Sequence, residues 1–587
     1  MYSVKVNGSS CGYFKGAKGI RQGDPLSPYL FSIAMHVFSC ILNNPPPDFK
    51  FHWRCKELSL THLLFADDVL LFSRGDSPSI THLMDSLVKF GDLSGLNASL
   101  LKSSSFFCNC PPDLISWFDN AYSMPRGQLP VKFLGVPLIS SKLSVNDCVP
   151  LVDRITSKIL SWTSLLLSYM GRLRLIEVVL HSVQNFWTRH FVLPKCIHKL
   201  IQQILTRFLW KGDITAVGGA KVSWANLCLP KEEGGLGLKK SEEWNHAQIL
   251  SHLWSVVNQS GSLWSKWVVN SVLKGRNFWV IPVPTDCSWI WRKVLGLRGL
   301  AKRFVKFQLG NGMNTSLWFD PWWRNESLAL SFADPIIRAA GSSINASVYT
   351  LISFGEWRLP RGNLQHHHAN LALAAWLRDF DYPSFDLEKG DMITWEGTKS
   401  SQVSTRLIWN SIRLRGDSCP WAVGVWFKLR ITRFCFLSWL LCLDRVVTRS
   451  TLFDRHVIED SGCIFCIGDV ETAQHLFIAC PYARFIHRSY LFEVHGLVFD
   501  HSLLWKDWIM SILAISDLPQ RQVLLLYLQV FAYHMWRERN ARLHGGGSFG
   551  PRKLLEGIMV DIRGRAASST WLSRLICSRP MICTWLF

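Results

Sequence analysis

The segment Leu60-Thr-His-Leu-Leu-Phe-Ala-Asp-Asp-Val-Leu-Leu-Phe72 combines a strong strand pattern with two adjacent aspartates. Two apolar runs rich in Leu, Phe and Val flank two adjacent carboxylates, and each run is about as long as an ordinary strand. Asp67 and Asp68 stand at the break between the runs, where Asp tolerates the geometry of a turn. The pattern predicts a β-hairpin with two carboxylates at its tip.

The adjacent carboxylates of Asp67 and Asp68 repel each other, so the pair costs free energy unless a cation neutralises it. Mg²⁺ is usually held by one or two carboxylates together with substrate phosphates. One interpretation is therefore a Mg²⁺ site for phosphoryl or nucleotidyl transfer. The other is a solvated turn that holds two aspartates and no metal, and this stretch alone does not decide between them.

The composition of the chain favours an anionic partner. Lys and Arg outnumber Asp and Glu by 64 to 43 over 587 residues, which gives a formal net charge of +21. Nucleic acid is the first candidate partner and an anionic membrane surface the second. No apolar run is long enough for a membrane helix, and no secretory signal is evident. The odd number of 17 scattered cysteines suits reduced thiols, so we expect an intracellular protein of the nucleus or cytoplasm without a membrane partner.

Four motifs between Lys18 and Leu138 follow one another in a recognisable order. They are Lys18-Gly-Ile-Arg-Gln-Gly-Asp-Pro-Leu-Ser-Pro-Tyr-Leu-Phe31, Phe65-Ala-Asp-Asp68, Ser94-Gly-Leu-Asn-Ala-Ser-Leu-Leu-Lys-Ser103 and Phe133-Leu-Gly-Val-Pro-Leu138. Their order and spacing resemble the second half of a reverse transcriptase palm, in the form found in plant LINE-type (non-LTR) retrotransposons. Four matches in one order are much more specific than any single match.

This resemblance implies roles for individual residues. Asp67 and Asp68 would be catalytic and would hold Mg²⁺. Lys102 would donate a proton to the leaving pyrophosphate or stabilise it, although a lone lysine in a loop is more often only solvated. The residues implied to contact template or incoming nucleotide are Arg21, Gln22, Gly23, Phe65 and Ala66. Ser99 stands where the family usually has Asn, a departure that does not affect the metal chemistry.

A second candidate site lies in the C-terminal part of the chain. Cys463-Ile-Phe-Cys466 is followed by His475 and Cys480. Four soft or borderline ligands at turn-like spacing suit tetrahedral Zn²⁺. The alternative is four reduced core residues, since free Cys is often buried. The segment resembles the zinc-binding domain found after plant LINE-type reverse transcriptases, which implies a structural zinc ion.

One carboxylate required for polymerisation has no evident counterpart. Two-metal nucleotidyl transfer needs carboxylates on the attacking and the leaving oxygens. Reverse transcriptases supply a further Asp from a strand before the Gln-Gly-Asp-Pro motif, but residues 1–23 contain no Asp or Glu. We therefore expect a fragment of a retrotransposon RNA-directed DNA polymerase that lacks the fingers and the first catalytic aspartate and is inactive alone. Two alternatives stay open, a non-catalytic zinc-containing protein that binds RNA, DNA or their hybrid, and a non-functional relic.

Together the patterns predict an α+β fold with five parts. Residues 1–140 would be the C-terminal half of the palm, an antiparallel sheet with helices. Residues 141–260 would be a thumb-like helical region, and residues 261–420 a Trp-rich mixed connecting region. Residues 421–515 would form the small, mostly helical zinc-binding domain, and residues 516–587 a helical basic tail.

Local patterns add four expectations. Asn7-Gly8 predicts a tight hairpin turn. Apolar residues at helical spacing from Leu30 to Ile41 predict a helix with one buried face. The segment from Gln520 to Arg542 reads as an amphipathic helix with a basic end. Finally, five cationic residues of the thumb-like region would either meet phosphates or form a charged outer face; they are Arg154, Lys158, Arg172, Arg174 and Arg189.

Overall fold

A computed structural model shows helices and short antiparallel hairpins, which confirms the α+β class. The structure describes residues 2–15, 20, 23–139, 141–162, 167–216, 218–331, 342–353, 356–357, 378, 380–381, 383–398, 400–466, 468–498 and 500–570. The chain divides into two units, of which one comprises residues 1–142 and 249–408 and the other residues 143–248 and 409–587. Within the described ranges, no helix combines the length and apolar character needed to cross a bilayer.

The strands pair as antiparallel two-stranded hairpins or ladders. The pairs are Tyr2–Val6 with Ser9–Phe14, His62–Phe65 with Asp68–Leu71, Val131–Phe133 with Val136–Leu138, Val305–Gln308 with Met392–Trp395, and Ile352–Ser353 with Glu356–Trp357.

Helices account for most of the remaining regular structure. In the first unit they are Ser27–Leu42, Ser77–Ser94, Pro112–Tyr122, Leu263–Trp267, Trp289–Gly296, Arg298–Lys302 and Leu328–Ser331. The helix Thr405–Ile412 begins in the first unit and ends in the second. In the second unit they are Val149–Leu160, Tyr169–Leu175, His181–His190, Lys195–Lys211, Trp224–Cys228, Ala422–Val425, Thr432–Cys442, Arg449–Phe453, Pro481–His487, Glu493–His495, Trp505–Leu513, Leu518–Leu543 and Pro551–Ala567. Ser241–Val257 contributes to both units, and four π-helical segments are Ile176–Leu180, Val268–Leu273, His475–Ala479 and Arg488–Phe492.

Two hairpins of the first unit form where the sequence predicts them. Asn7 and Gly8 form the turn of the first hairpin with φ of 48° and 88°, the left-handed conformation that this pair adopts readily. In the second hairpin, Phe65 lies opposite Asp68 in the register. We call this second hairpin, residues 62–71, the Asp hairpin.

The Asp hairpin is held by packing on one of its faces. Leu64, Val69 and Leu71 pack against a buried cluster that includes Phe38 and Phe90. The rings of Phe38 and Phe90, from the helices Ser27–Leu42 and Ser77–Ser94, have centroids 4.7 Å apart. The hairpin is therefore fixed through its aliphatic face, and its turn projects beyond the helices that support it.

The helix Ser27–Leu42 forms as predicted, but its apolar face is buried only toward its C-terminal end. Phe38 and Leu42 are buried, whereas Leu30 is 51% exposed and Ile33 is 61% exposed. Among the described residues, the buried cluster that contains Phe38 and Leu42 does not include Leu30 or Ile33. Helical periodicity predicts which face is apolar and does not predict how much of that face is covered.

The second unit is built around the helix Leu518–Leu543. Every residue from Val523 to Ala532 is buried, so this segment is apolar on all sides and not amphipathic as predicted. A helix that is hydrophobic all round lies inside a domain. The region predicted to be thumb-like contains helices, and Leu151, Ile155 and Ile159 are buried along Val149–Leu160.

A glycine in the second unit provides a stability test. A Cβ at Gly235 would lie 2.0 Å from the carbonyl oxygen of Leu229. We expect Gly235→Ala to lower the free energy of unfolding by about 1–3 kcal/mol, because the backbone must move to accept the methyl group. Gly564→Ala is the matched control, since nothing lies within 4 Å of its Cβ in the helix Pro551–Ala567. Urea unfolding of both variants measures the effect, and equal midpoints would show that the close contact is absent.

Candidate metal centres

The tip of the Asp hairpin presents both aspartates to solvent. Ala66 and Asp67 form a two-residue turn, and Asp68 begins the returning strand. Ala66 has φ of 51°, a left-handed conformation that non-glycine residues seldom adopt. Asp67 and Asp68 are exposed, and Phe65 beside them is 61% exposed. The turn geometry therefore brings two carboxylates and one aromatic ring to the same exposed edge.

The other predicted polymerase residues lie either in elements other than the Asp hairpin or outside the described residues. Lys102 is exposed in a short 3-10 turn, Leu100–Lys102, and no ion pair within 4 Å joins it to either aspartate. Gly23 is exposed with φ of 85°. Arg21 and Gln22 lie outside the described residues. Their predicted contacts with template and nucleotide stay predictions.

The aspartates lack a third metal ligand in the part of the chain that the structure describes. The single group of three or more His, Cys, Asp or Glu side chains able to share a metal there is the cysteine–histidine cluster of the second unit. Asp67 and Asp68 can supply oxygen ligands to Mg²⁺, but no further carboxylate converges with them. Two exposed carboxylates alone are an incomplete two-metal site.

Four side chains of the second unit converge as a tetrahedral metal site requires. The ligand atoms of Cys463, Cys466, His475 and Cys480 all lie within 4.8 Å of one another. The sulfurs of Cys463 and Cys480 are 4.0 Å apart, and His475 Nε2 lies 3.2 Å from the sulfur of Cys466. Zinc with Zn–S bonds of about 2.3 Å places tetrahedral sulfurs about 3.8 Å apart, so the cluster has the dimensions of a zinc site. The predicted ligand set is therefore brought together; we call it the zinc cluster.

Short local elements position the four ligands. The Cys463 N–H donates to the Asp469 carbonyl at 2.7 Å, and the Glu471 N–H donates to the Ser461 carbonyl at 2.8 Å. These bonds close the loop that carries the first two cysteines. His475 begins the π-helical segment His475–Ala479, and Cys480 caps the helix Pro481–His487. Two ligands thus lie on a loop and two lie at helix ends.

Asp469 supports the histidine ligand, and the sequence analysis missed it. The Nδ1 atom of His475 lies 3.6 Å from the Asp469 carboxylate, while Nε2 faces the cysteine sulfurs. A carboxylate near the second ring nitrogen would help to orient a metal-bound histidine. An acidic residue between the paired cysteines and the histidine was the available signal.

The protein alone already favours one thiolate in the zinc cluster. The Cys480 thiol donates to the Cys463 sulfur, and this hydrogen bond lowers the pKa of Cys463 and raises the pKa of Cys480. The backbone N–H groups of Phe465 and Cys466 lower the pKa of Cys463 further. The thiolate is the form of cysteine that binds metal, so the lowered pKa favours the metal-binding form of Cys463.

A buried ion pair lies behind the loop of the zinc cluster. Arg539 is 3% exposed and Glu471 is 0% exposed, and their Nη2 and Oε1 atoms are 2.7 Å apart. The Arg449 N–H donates to the same Oε1 atom at 2.8 Å. The helix from Gln520 to Arg542 was predicted to have a basic end. The Arg539 guanidinium in that end is buried and structural, and it is not solvated.

Arg172 and Arg174, two of the candidate phosphate-binding residues of the thumb-like region, have defined partners in the structure. Arg172 is 8% exposed, and its guanidinium donates to the Leu209 carbonyl at 3.3 Å. Arg174 forms an ion pair of 3.1 Å with Glu177. Arg172 is thus a packing residue, because its charge is directed into the unit and away from any surface ligand.

The sequence matches two known families. Residues 1–138 match the family described as reverse transcriptase (RNA-dependent DNA polymerase). Residues 403–486 match the family described as zinc-binding in reverse transcriptase, and this range contains all four residues of the zinc cluster.

Similar proteins occur in a plant and in an amphibian. A putative ribonuclease H protein of Arabidopsis thaliana is 25% identical over 366 residues, which are 59% of this chain and 56% of that protein. An uncharacterized mitochondrial protein of Arabidopsis thaliana is 27% identical over 138 residues, 23% of this chain and 90% of that protein. The transposon TX1 uncharacterized 149 kDa protein of Xenopus laevis is 27% identical over 250 residues, 40% of this chain and 17% of that protein.

The chain thus spans about half the length of the first of these relatives. Its two family matches coincide with the Asp hairpin and with the zinc cluster. Residues 1–138 are therefore similar to reverse transcriptases, and residues 403–486 are similar to the zinc-binding segment of reverse transcriptases.

Proposed function

We propose that the chain acts as part of a retrotransposon RNA-directed DNA polymerase, in which it holds RNA template and DNA primer. The observation that carries the proposal is the Asp hairpin, where a two-residue turn exposes both aspartates within the reverse transcriptase segment. The net charge of +21 supports a nucleic-acid partner, because phosphate contacts dominate such binding. We place the protein in the nucleus or cytoplasm, where 17 cysteines stay reduced and available for zinc.

In this proposal each residue of the hairpin has a separate task. Asp67 and Asp68 would hold Mg²⁺, which would supply positive charge to neutralise the phosphates. Phe65 and Ala66 flank the carboxylates and contact the nucleic acid, as Arg21, Gln22 and Gly23 do in the loop motif. Lys102 is exposed and can neutralise the leaving pyrophosphate. The zinc ion is structural, because four protein ligands leave no open position.

We further propose that this chain does not polymerise DNA by itself, because two carboxylates do not complete the two-metal site in the described residues. Primer extension on an RNA template with Mg²⁺ is therefore expected to show no incorporation above that of Asp67→Ala/Asp68→Ala. The measurement is labelled primer length after incubation with the purified, folded chain.

A binding measurement on the same protein tests the proposed nucleic-acid binding separately from the proposed lack of polymerase activity. The full chain should bind an RNA–DNA hybrid, with an affinity that falls steeply as salt rises. Failure to bind the hybrid at low salt would remove the proposed function. Incorporation that disappears in the double variant would instead show that another carboxylate completes the site, and only the proposed inactivity would be wrong.

The second candidate function is a nucleic-acid-binding protein without catalysis. A zinc cluster with all four ligands in one unit, together with two aspartates that lack a third ligand among the described residues, favours it. It requires the same hybrid binding, but the affinity would be unchanged in Asp67→Ala/Asp68→Ala with or without Mg²⁺. A chain that neither binds nucleic acid nor melts cooperatively would be a relic.

A further inference from the structure

A pocket of about 650 Å³ lies in the second unit, directly after the last zinc ligand. Pro481, which follows Cys480, forms part of its wall. Apolar side chains make most of the lining, and two arginines and two histidines join them. The lining residues used below are Arg484, Phe485, Arg488, Phe492, His501 and Trp508.

Arg484 and Arg488 give this pocket its charge. They lie four positions apart, the first in the helix Pro481–His487 and the second at the start of Arg488–Phe492, and both are exposed. Neither guanidinium has an ion pair within 4 Å among the described residues, in contrast to Arg449 and Arg539. Like charges at this spacing destabilise a helix, so an anion between them would be stabilising.

Two aromatic rings stand at the same pocket with accessible faces. Phe485 is 38% exposed and Phe492 is 52% exposed, so both rings are partly open to solvent. Trp508 closes the back of the pocket and is fully buried, with its indole N–H already donated to the Asp500 carbonyl. The two phenylalanines are therefore the rings that a flat ligand can reach.

His501 adds a polar group at the wall. Its Nδ1 atom is buried and has no hydrogen-bond partner among the described residues. Burial, and then the nearby charge of Arg484, lowers the pKa of His501, so its ring is neutral at physiological pH. A neutral imidazole can accept a hydrogen bond from a base edge or donate one to it.

We propose that this pocket binds one unstacked nucleotide of single-stranded nucleic acid, with Arg484 and Arg488 on the phosphates and Phe485 or Phe492 on the base. A cationic rim with exposed aromatic rings is the arrangement by which proteins hold single strands without reading sequence. The proposal rests on the proposed function, since it assigns a site to the same class of ligand.

The last zinc ligand, Cys480, caps the helix Pro481–His487, which carries the pocket residue Arg484. The Arg484 N–H donates to the Cys480 carbonyl at 2.8 Å, so the residue that binds zinc also caps the turn that carries the arginine. Zinc would therefore fix the direction in which the arginine pair leaves the helix. Affinity for single strands should be measured on the zinc-loaded full chain.

The test is fluorescence anisotropy with labelled oligo(dT) and oligo(U) over a series of salt concentrations. We expect Arg484→Gln/Arg488→Gln to weaken binding about tenfold and to reduce the dependence of log affinity on log salt by about 1.4, the loss of two single-strand phosphate contacts. Phe492→Leu should weaken binding about tenfold through lost stacking and leave the salt dependence unchanged. Comparison of the two oligonucleotides shows whether RNA or DNA is preferred.

The matched control removes two charges elsewhere in the same unit. Arg445 and Arg455 are exposed, have no ion pair in the described residues and lie outside the pocket, so Arg445→Gln/Arg455→Gln should bind within about twofold of the parent. Zinc content and melting temperature must equal those of the parent in every variant compared. The proposal that this pocket binds a nucleotide would be overturned by equal losses of affinity in the control and pocket variants. It would also be overturned by parental affinity in both pocket variants. A parent chain that binds no nucleic acid would overturn the proposed function as well.

Discussion

Cys463→Ser is expected to lose its zinc and to melt on the order of 10 °C below the parent chain. The Cys463 sulfur lies 4.0 Å from that of Cys480, and its side chain is 2% exposed. A serine hydroxyl does not replace a thiolate as a zinc ligand, so three ligands remain at a site that needs four. Because structural zinc binding is coupled to folding, its loss removes several kcal/mol of stability. Metal analysis and calorimetry measure the two effects.

The control for this prediction is Cys196→Ser, an exposed thiol at the start of the helix Lys195–Lys211 in the same unit. It should retain one zinc per chain and the parental melting temperature. A strong chelator should lower the melting temperature of the parent and of this control to that of Cys463→Ser. Full zinc content in Cys463→Ser would exclude the zinc cluster as the binding site.

The elements that could be predicted from the sequence are those whose determinants are local. The turn residues Asn7-Gly8 specify the first hairpin, and the break at Asp67-Asp68 between two short apolar runs specifies the second, so neighbouring residues alone are sufficient. The zinc cluster was predictable for the same reason, because its four ligands fall between Cys463 and Cys480. Spacing within a short segment limits how the side chains can meet.

The features that could not be predicted depend on contacts between distant parts of the chain. The carboxylate of Glu471 and the guanidinium of Arg539 are 68 residues apart, and no local pattern marks either residue as buried. The helix Leu518–Leu543 looked amphipathic from its polar end, but neighbouring helices cover all sides of its centre. The pocket beside the zinc cluster has no local signal, because His501 and Trp508 from a later segment complete the wall around its arginines.

The buried ion pair between Arg539 and Glu471 gives the second prediction with a large effect on stability. Arg539→Met is expected to lower the free energy of unfolding by about 3–5 kcal/mol, because it leaves the Glu471 carboxylate buried without its cation. Arg174→Met is the matched control, since the Arg174–Glu177 pair of the same unit is solvent-exposed, with the arginine side chain 73% accessible. That control should change stability by less than about 1 kcal/mol. Urea unfolding, followed by far-UV circular dichroism, gives both values.

A double variant distinguishes a lost charge partner from lost packing. Glu471→Gln/Arg539→Met removes the uncompensated charge while the amide oxygen can still accept from the Arg449 N–H. If burial of a lone carboxylate causes the loss, the double variant will be more stable than Arg539→Met alone. If it is equally unstable or worse, the aliphatic stem of Arg539 and its position over the Trp536 ring carry the stability instead. Zinc retention in the double variant would then show whether the loop of the zinc cluster needs the charge or only the volume behind it.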